Sequence, residues 1–325
     1  MAKTIMNCPI CNKPSPKVIT NTLRTGEKRK VFVCTRCELG ILDAHINAAD
    51  LKKYYASEYR KIGRPKLAAA SETDELFSIY SRFQRDRLRL LKPYLTKKTK
   101  LLEVGCSAGM FLHHAKPLVK EIVGIDFDLA SAAYAAKKCA CKVYTTDIKE
   151  TPLKKKYFNL IVAFQTLEHV SDPKAFIAGL EEYLAPGGII AIEVPNLNDA
   201  LAHVYDLPHH YQFFYHKSHL WYFTEKSLEK VMASSGFKGK TFYTQDYNIM
   251  NHMNWIINDA PQGTPLAGLS APTLPIRKHV SPHINKTLDT FIKRMDSEYK
   301  NILADLQITS NIIFIGKKNG KRSSS

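Results

Sequence analysis

Four groups of residues in this 325-residue sequence have the types and spacing to do chemistry. The first is a pair of C-x-x-C turns, Cys8/Cys11 and Cys34/Cys37, with 22 residues between them. Each turn presents two thiolates to one ion, and two turns complete a tetrahedral zinc site with no open position. A structural zinc is therefore expected rather than a catalytic one. Two disulfides or a redox pair are the competing readings. The opening residues MAKTIMNCPI lack the charged, apolar and small-residue segments of a secretory leader. A cytoplasmic protein is expected on that ground, and there disulfides are rare. A redox C-x-x-C usually stands alone beside a strand–helix unit, not as two turns flanking a hairpin. The other three cysteines, Cys106, Cys139 and Cys141, read as ordinary small residues.

The second group is the glycine loop in LLEVGCSAGMFL, residues 101–112. Gly105 and Gly109 let the backbone turn sharply and approach a ligand closely, while the following helix aims its first amides at it. The third group is a pair of acids, Asp126 at the end of the second apolar run and Asp147 after the third. A carboxylate at the first position can grip two ribose hydroxyls, and one at the second can read an adenine amine. The fourth is the segment from Leu207 to Phe223, crowded with His209, His210, Tyr215, His216 and His219 among aromatics. Most of these rings suit a packed lid; His219 and His216 are the first choices to touch a substrate. His169, in LEHV, either contacts substrate or holds its own loop by a hydrogen bond.

Short apolar runs alternating with helices must carry these groups. The runs are KLLEV (100–104), EIVGID (121–126), CKVYT (141–145), FNLIVAF (158–164) and GGIIAIEV (187–194), with helices starting near Ala108, Leu129 and Asp172. That alternation is the mark of an α/β, doubly wound parallel sheet. A periodic segment from Asp74 to Leu95 reads as one leading helix. KVITNTL and KRKVFVC, around Thr25-Gly26-Glu27, read as short strands between the cysteine pairs, the outline of a small N-terminal zinc ribbon or treble clef. The expected organisation is a zinc module over 1–45, a connector and leading helix over 46–95, and a nucleotide-binding domain over 96–325. Between the strands KGKTFYT and SNIIFIGKK, residues 248–308 form an insertion with a Pro/Gly-rich loop and a helix from Ser281 to Leu306. A connection that long usually serves as a lid or partner surface. The final GKRSSS reads as disordered.

In LLEVGCSAG, the acid of GIDFD, the acid of TTDI, and FNLIVAFQTLEHVSDP followed by LAPGG, the chain resembles the class I S-adenosylmethionine-dependent methyltransferases over roughly residues 75–240. The resemblance implies a seven-stranded methyltransferase sheet whose last strand, SNIIFIGKK, runs antiparallel. It also implies S-adenosyl-L-methionine as cofactor. Glu103, Gly105 and Gly109 would shape its methionine side, Asp126 and Phe127 would hold ribose and flank adenine, Asp147 and Ile148 would read adenine, and Gln165 would line the pocket. The order E-V-P-N, then Y-H-x-x-H-L-x-Y-F, looks like the zinc-containing sugar C-methyltransferases and their relatives in polysaccharide gene clusters, with Lys217 and Ser218 replacing an acidic position. His219, His216 and Tyr215 are the catalytic candidates on that resemblance.

Forty-seven Lys and Arg against 30 Asp and Glu give a formal charge of +17. Such a balance suits an anionic partner, whether RNA, an anionic membrane surface or a phosphorylated small molecule. The basic residues are scattered over several loops, and no apolar run is long enough for a membrane span. The favoured reading is therefore methylation of a sugar, nucleotide-sugar or related small metabolite. RNA methylation, with the zinc module and basic loops holding phosphates, is the alternative. A non-catalytic module that binds S-adenosylmethionine is a third.

Overall fold

The computed structural model describes residues 6–15, 17–44, 70–263 and 265–319. Of the connector and leading helix expected over 46–95, residues 46–69 lie outside them, as does the terminal GKRSSS. The described chain folds into a seven-stranded sheet and a four-stranded sheet, with a two-stranded ribbon at the N-terminus.

In the N-terminal region, β1 (Met6–Asn7) pairs antiparallel with β2 (Pro14–Ser15). β3 (Lys17–Thr20), β4 (Val31–Val33) and β5 (Gly40–Leu42) then form an antiparallel meander. Its first turn closes where Gly26 donates to the Leu23 carbonyl at 2.8 Å, with Gly26 at φ 79°.

The leading segment is two helices rather than one: α1 (Ala70–Tyr80) and α2 (Arg85–Leu91), separated by a 3-10 turn. The turn has a physical cause. The Ser81 carbonyl and hydroxyl both engage His114 Nε2, at 2.8 and 2.9 Å, and the Gln84 side chain donates to the Tyr80 carbonyl at 3.0 Å. Tertiary hydrogen bonds thus compete for groups that an unbroken helix would use, a contest invisible to periodicity.

The large sheet contains β6 (Lys100–Val104), β7 (Glu121–Ile125), β8 (Lys142–Tyr144), β9 (Phe158–Phe164) and β10 (Leu184–Pro195), mutually parallel. The helices between them are α3 (Met110–Ala115), α4 (Leu129–Cys139) and α5 (Pro173–Glu181). The Asp172 side chain caps α5 by accepting from Lys174 and Ala175. After β10 come α6 (Ala200–His203), α7 (Pro208–Phe214), β11 (Trp221–Tyr222), α8 (Glu225–Ser234) and β12 (Phe237–Thr244). The insertion supplies α9 (Ile249–Asn258), α10 (Pro265–Leu269) and α11 (Pro282–Asp305) before β13 (Asn311–Lys318). The sheet order is β12-β13-β10-β9-β6-β7-β8, and β13 is antiparallel to both neighbours. The order reverses about β6 and β9, so a crevice opens beyond the carboxyl ends of those strands, where open α/β sheets bind ligands. Fully buried Leu101, Leu102, Leu160, Ile161 and Ile192 fill the two faces of the sheet.

β11 does not belong to the large sheet. It pairs antiparallel with β5, completing a sheet of order β11-β5-β4-β3. The histidine-rich segment over 207–223, the expected acceptor segment, therefore supplies an edge strand to the cysteine-bearing module. Leu42 donates to the Leu220 carbonyl at 3.0 Å, and Leu23, Val31 and Leu42 share one apolar cluster with Tyr215, Leu220 and Tyr222. Among the described residues no helix is long and apolar enough to cross a membrane.

Candidate functional site

The glycine loop leaves β6 at Val104 and enters α3 through three left-handed residues, Gly105 (φ 78°), Ser107 (φ 47°) and Gly109 (φ 79°). A Cβ at Gly105 would stand 2.2 Å from Thr166 Oγ1, so glycine is required there by both conformation and contact. Gly109 serves packing instead. Its missing Cβ lets α3 lie against Ala135 and Cys139 of α4, and it does not line the cavity. Ser107 donates its N–H to Asp126 Oδ2 at 2.6 Å, while Asp128 donates to Oδ1 at 2.9 Å. The carboxylate that ends β7 is thus fixed against the loop that begins α3. Asp147 accepts from the Lys149 N–H at 2.9 Å and starts the turn that carries Ile148.

Beneath the loop lies Glu103, 4% exposed, whose Oε2 has no hydrogen-bond partner among the described residues. Burial lifts its pKa to about 8, against the pull of Arg87. Gln165, after β9, takes a left-handed φ of 51° and points its amide at Glu193 Oε1 (3.0 Å) and Asn311 Oδ1 (3.1 Å). Glu193 in turn holds Arg87 in a two-point fork, with Nε donating to Oε2 at 2.9 Å and Nη2 donating to Oε1. The guanidinium lies 4.5 Å from the Phe164 ring centroid. Burial works against the Arg87 charge, yet Glu193 more than offsets it and raises the arginine's pKa. Asp246, in the same group, is pushed up to about 6 by burial.

The acceptor segment faces these residues. His216 and His219 lie with ring centroids 3.6 Å apart, and His169 is 4.8 Å from His219. His216 Nδ1 meets Ser218 Oγ at 2.6 Å, and His169 Nδ1 meets the Ser218 carbonyl oxygen at 2.7 Å. Burial drives the pKa of His216 and His219 well below the usual imidazole range and that of His169 to about 4, so all three tend to be neutral. Tyr215 stands apart from them. Its ring is wholly buried in the apolar cluster, its hydroxyl meets His203 Nε2 at 3.1 Å, and it does not line the cavity. The residue packs the acceptor segment onto the N-terminal sheet.

A single cavity of about 1360 Å³ joins the two sides. It is lined by Glu103, Gly105, Asp126, Phe127, Asp147, Ile148 and Gln165 on one side, and by His169, His216 and His219 on the other. Single-ligand pockets run to roughly 300–1,000 Å³, so there is room for two substrates. Arg24 and Thr25 of the N-terminal module also reach its wall, as do Asp246, Asn251 and Trp255 of the insertion. The sequence points to the glycine loop and the acids, but not to Arg87, Glu168 or Glu193. Glu168 carries a signal, an acid adjoining His169 just after a strand; the long-range fork of Arg87 and Glu193 carries none.

The family model described as a methyltransferase domain matches residues 76–240, half of the chain. The chain belongs to this family. The matched residues run from within α1 through the glycine loop and the histidine-rich segment to the first half of β12. Among curated proteins, a probable S-adenosylmethionine-dependent methyltransferase of Mycolicibacterium smegmatis is 28% identical over 97 residues, 30% of this chain and 38% of that protein. A ubiquinone biosynthesis O-methyltransferase of Cereibacter sphaeroides is 26% identical over 125 residues, 37% of this chain and 49% of that protein. The chain spans less than half the length of these relatives. A solved SAM dependent methyltransferase from Archaeoglobus fulgidus superposes with a TM-score of 0.47 at 18% identity, covering 75% of this chain and 99% of that one.

At the N-terminus, Cys8, Cys11, Cys34 and Cys37 present sulfurs that all lie within 4.8 Å of one another. Cys8 and Cys37 are 3.5 Å apart and Cys11 and Cys34 are 3.4 Å apart, each sulfur paired with one from the other turn. The residue after each C-x-x-C, Asn12 or Glu38, is left-handed, and its N–H bonds back to the carbonyl of the first cysteine at 2.8 Å. The Cys8–Cys37 contact lowers the pKa of the Cys8 thiol and raises that of Cys37, as expected when two sulfurs share one proton.

Proposed function

We propose that this chain transfers the methyl group of S-adenosylmethionine to a saccharide, nucleotide-linked sugar or related small acceptor, and that its four cysteines hold one structural zinc ion. The observation that carries the reading is the continuous cavity with a nucleotide-type wall and a histidine wall facing each other. On the first wall, Asp126 would take the ribose hydroxyls, Phe127 and Ile148 would flank adenine, and Asp147 would receive its amine. The unpartnered oxygen of Glu103 suits the ammonium of the methionine moiety. Methyl transfer from a sulfonium is an in-line displacement, so the protein contributes approach geometry and exclusion of water. With a hydroxyl acceptor, the C–O bond forms as the S–C bond breaks, and an imidazole of the His216–His219 pair receives the proton. The O-methyltransferases among the relatives agree with an oxygen acceptor.

For zinc, bonds of about 2.3 Å in a tetrahedron set sulfurs about 3.8 Å apart. The Cys8–Cys37 and Cys11–Cys34 pairs need only a slight expansion to match. Four thiolates leave such an ion no open position, so its role is to hold the module together.

Asp126→Ala is expected to weaken S-adenosylmethionine binding by about 1.5–3 kcal/mol, the range for a charge-assisted hydrogen bond. The variant also frees the Ser107 amide that orients the loop. Equal affinities for wild type and variant by calorimetry would place the cofactor elsewhere. The acceptor class is tested by offering labelled S-adenosylmethionine with a nucleotide-sugar pool or with bulk RNA. Label is expected in the sugar fraction; label in RNA alone overturns the small-molecule reading.

A further inference from the structure

We infer that Glu168, His169 and His219 form a binding site for a divalent transition-metal ion on the histidine wall of the cavity, distinct from the four cysteines. Their ligand atoms all lie within 4.8 Å of one another. His169 Nε2 is 3.7 Å and His219 Nε2 is 4.0 Å from one carboxylate oxygen, Glu168 Oε1. Around an ion with bonds of about 2.1 Å, ligand atoms stand about 3.0–3.4 Å apart, so the two histidine–carboxylate distances would close by roughly 0.3–1 Å.

Two features point to a ligand rather than to packing. Glu168 is 1% exposed, yet neither carboxylate oxygen has a hydrogen-bond partner among the described residues. A buried carboxylate left this way is costly unless a cation or proton joins it. The second feature is the orientation of His169. Its Nδ1 lies 2.7 Å from the Ser218 carbonyl oxygen, which can only accept, so Nδ1 carries the hydrogen and the lone pair lies on Nε2. A second hydrogen bond that fixes the tautomer in this way is the usual accompaniment of a metal-bound imidazole.

The backbone holds the three ligands in place. Glu168 and His169 are adjacent on the 3-10 turn Leu167–His169, and the Leu220 N–H donates to the Glu168 carbonyl at 2.9 Å, drawing His219 alongside. Two imidazoles with one carboxylate suit manganese, iron, cobalt, nickel or zinc better than calcium or magnesium, which favour all-oxygen sites. Three protein ligands leave positions open toward the cavity. An ion there would act on an acceptor oxygen as a Lewis acid, leaving His216 as the imidazole for the proton. That role in transfer rests on the methyltransferase reading, whereas ion binding itself does not.

The test is a titration of the purified full chain with Mn²⁺, reading the free ion by electron paramagnetic resonance. Mn²⁺ is chosen because it has little affinity for thiolate sites. One ion per chain is expected, with binding at least tenfold weaker in Glu168→Gln and in His219→Ala, and with S-adenosylmethionine affinity in both variants within about twofold of wild type. Should Glu168→Gln fail to fold, His219→Ala gives the same reading. Metal analysis after Zn²⁺ loading should likewise find one equivalent beyond the cysteine-held ion. Wild type that takes up neither ion at this site, or variants that bind as tightly as wild type, overturns the inference. Methyl transfer at full rate without a second ion overturns the Lewis-acid role and leaves the methyltransferase reading standing. An ion that binds in a protein without transfer activity supports the site and sinks the methyltransferase reading alone.

Discussion

Cys34→Ser is expected to strip the proposed zinc ion from the N-terminal module and to release the histidine-rich segment with it. A structural tetrathiolate contributes on the order of 10–16 kcal/mol in apparent binding free energy, comparable with the roughly 5–15 kcal/mol that stabilises a whole domain. The cysteine turns lie between β1 and β2 and between β4 and β5, short strands of a module whose buried residues share clusters with the rest of the fold. β11 is the edge strand of the module's sheet. Four further bonds among the described residues tie the histidine-rich segment to the module: Arg24 N–H to the Tyr215 carbonyl at 2.6 Å, Arg24 Nε to the Phe213 carbonyl at 2.5 Å, Gln212 to the Leu23 carbonyl at 3.3 Å, and the Tyr211 hydroxyl to the Ile19 carbonyl. Loss of the ion should therefore displace His216 and His219 through this sheet and these bonds. The expected pattern is no zinc, rapid amide exchange over both 17–44 and 211–223, methyl transfer lost, and cofactor affinity close to wild type. The last holds because the glycine loop and Asp126 are built on the other sheet. Retention of zinc, or unchanged protection over 211–223, would contradict this coupling.

Arg87→Ala should cost about 3–5 kcal/mol of stability, the usual penalty for removing one partner of a buried ion pair. Glu193 is 2% exposed and sits on the central strand β10. Without the guanidinium it would keep the Gln165 amide as a charge-neutral partner while Asp246 adds repulsion nearby. In a protein of this size each kcal/mol shifts the melting temperature by roughly 2–4 °C, so a fall of about 10 °C is expected in thermal denaturation. Arg87→Lys should recover little, because an ammonium cannot reproduce the two-point fork or its stacking on Phe164. Adding Glu193→Gln to Arg87→Ala should restore part of the loss by removing the stranded charge. A penalty below about 1 kcal/mol for Arg87→Ala would mean that water reaches the pair and screens it.

Much of the fold can be read from sequence because its signals are local. The five apolar runs of the parallel sheet coincide with β6–β10, and the helices begin at Met110, Leu129 and Pro173, close to the expected starts. The long helix of the insertion, expected from Ser281 to Leu306, runs Pro282–Asp305 with Ser281 as its cap. The leading segment shows where local signals end. Its periodicity is that of one helix, but His114 takes up the Ser81 carbonyl and breaks it in two. Tyr215 is a second case. By its neighbours it belongs with the catalytic candidates, and by burial it belongs to the cluster of Leu23 and Val31.

The parts are legible in the sequence: two cysteine turns fit for one tetrahedral ion, a glycine loop at a strand's end, acids after the next two strands, and a histidine-rich segment beyond the fifth. Each rests on chemistry within a few residues, where backbone conformation and side-chain type suffice. Which parts meet is a matter of three dimensions. Folding makes the acceptor segment an edge strand of the cysteine module, joins Arg87 to Glu193 across 106 positions, and brings His219 against the Glu168–His169 turn. Those pairings are set by sheet order and by the requirement that buried charges and backbone groups find partners. No residue carries that information alone, because the partner that satisfies it is chosen by the whole fold.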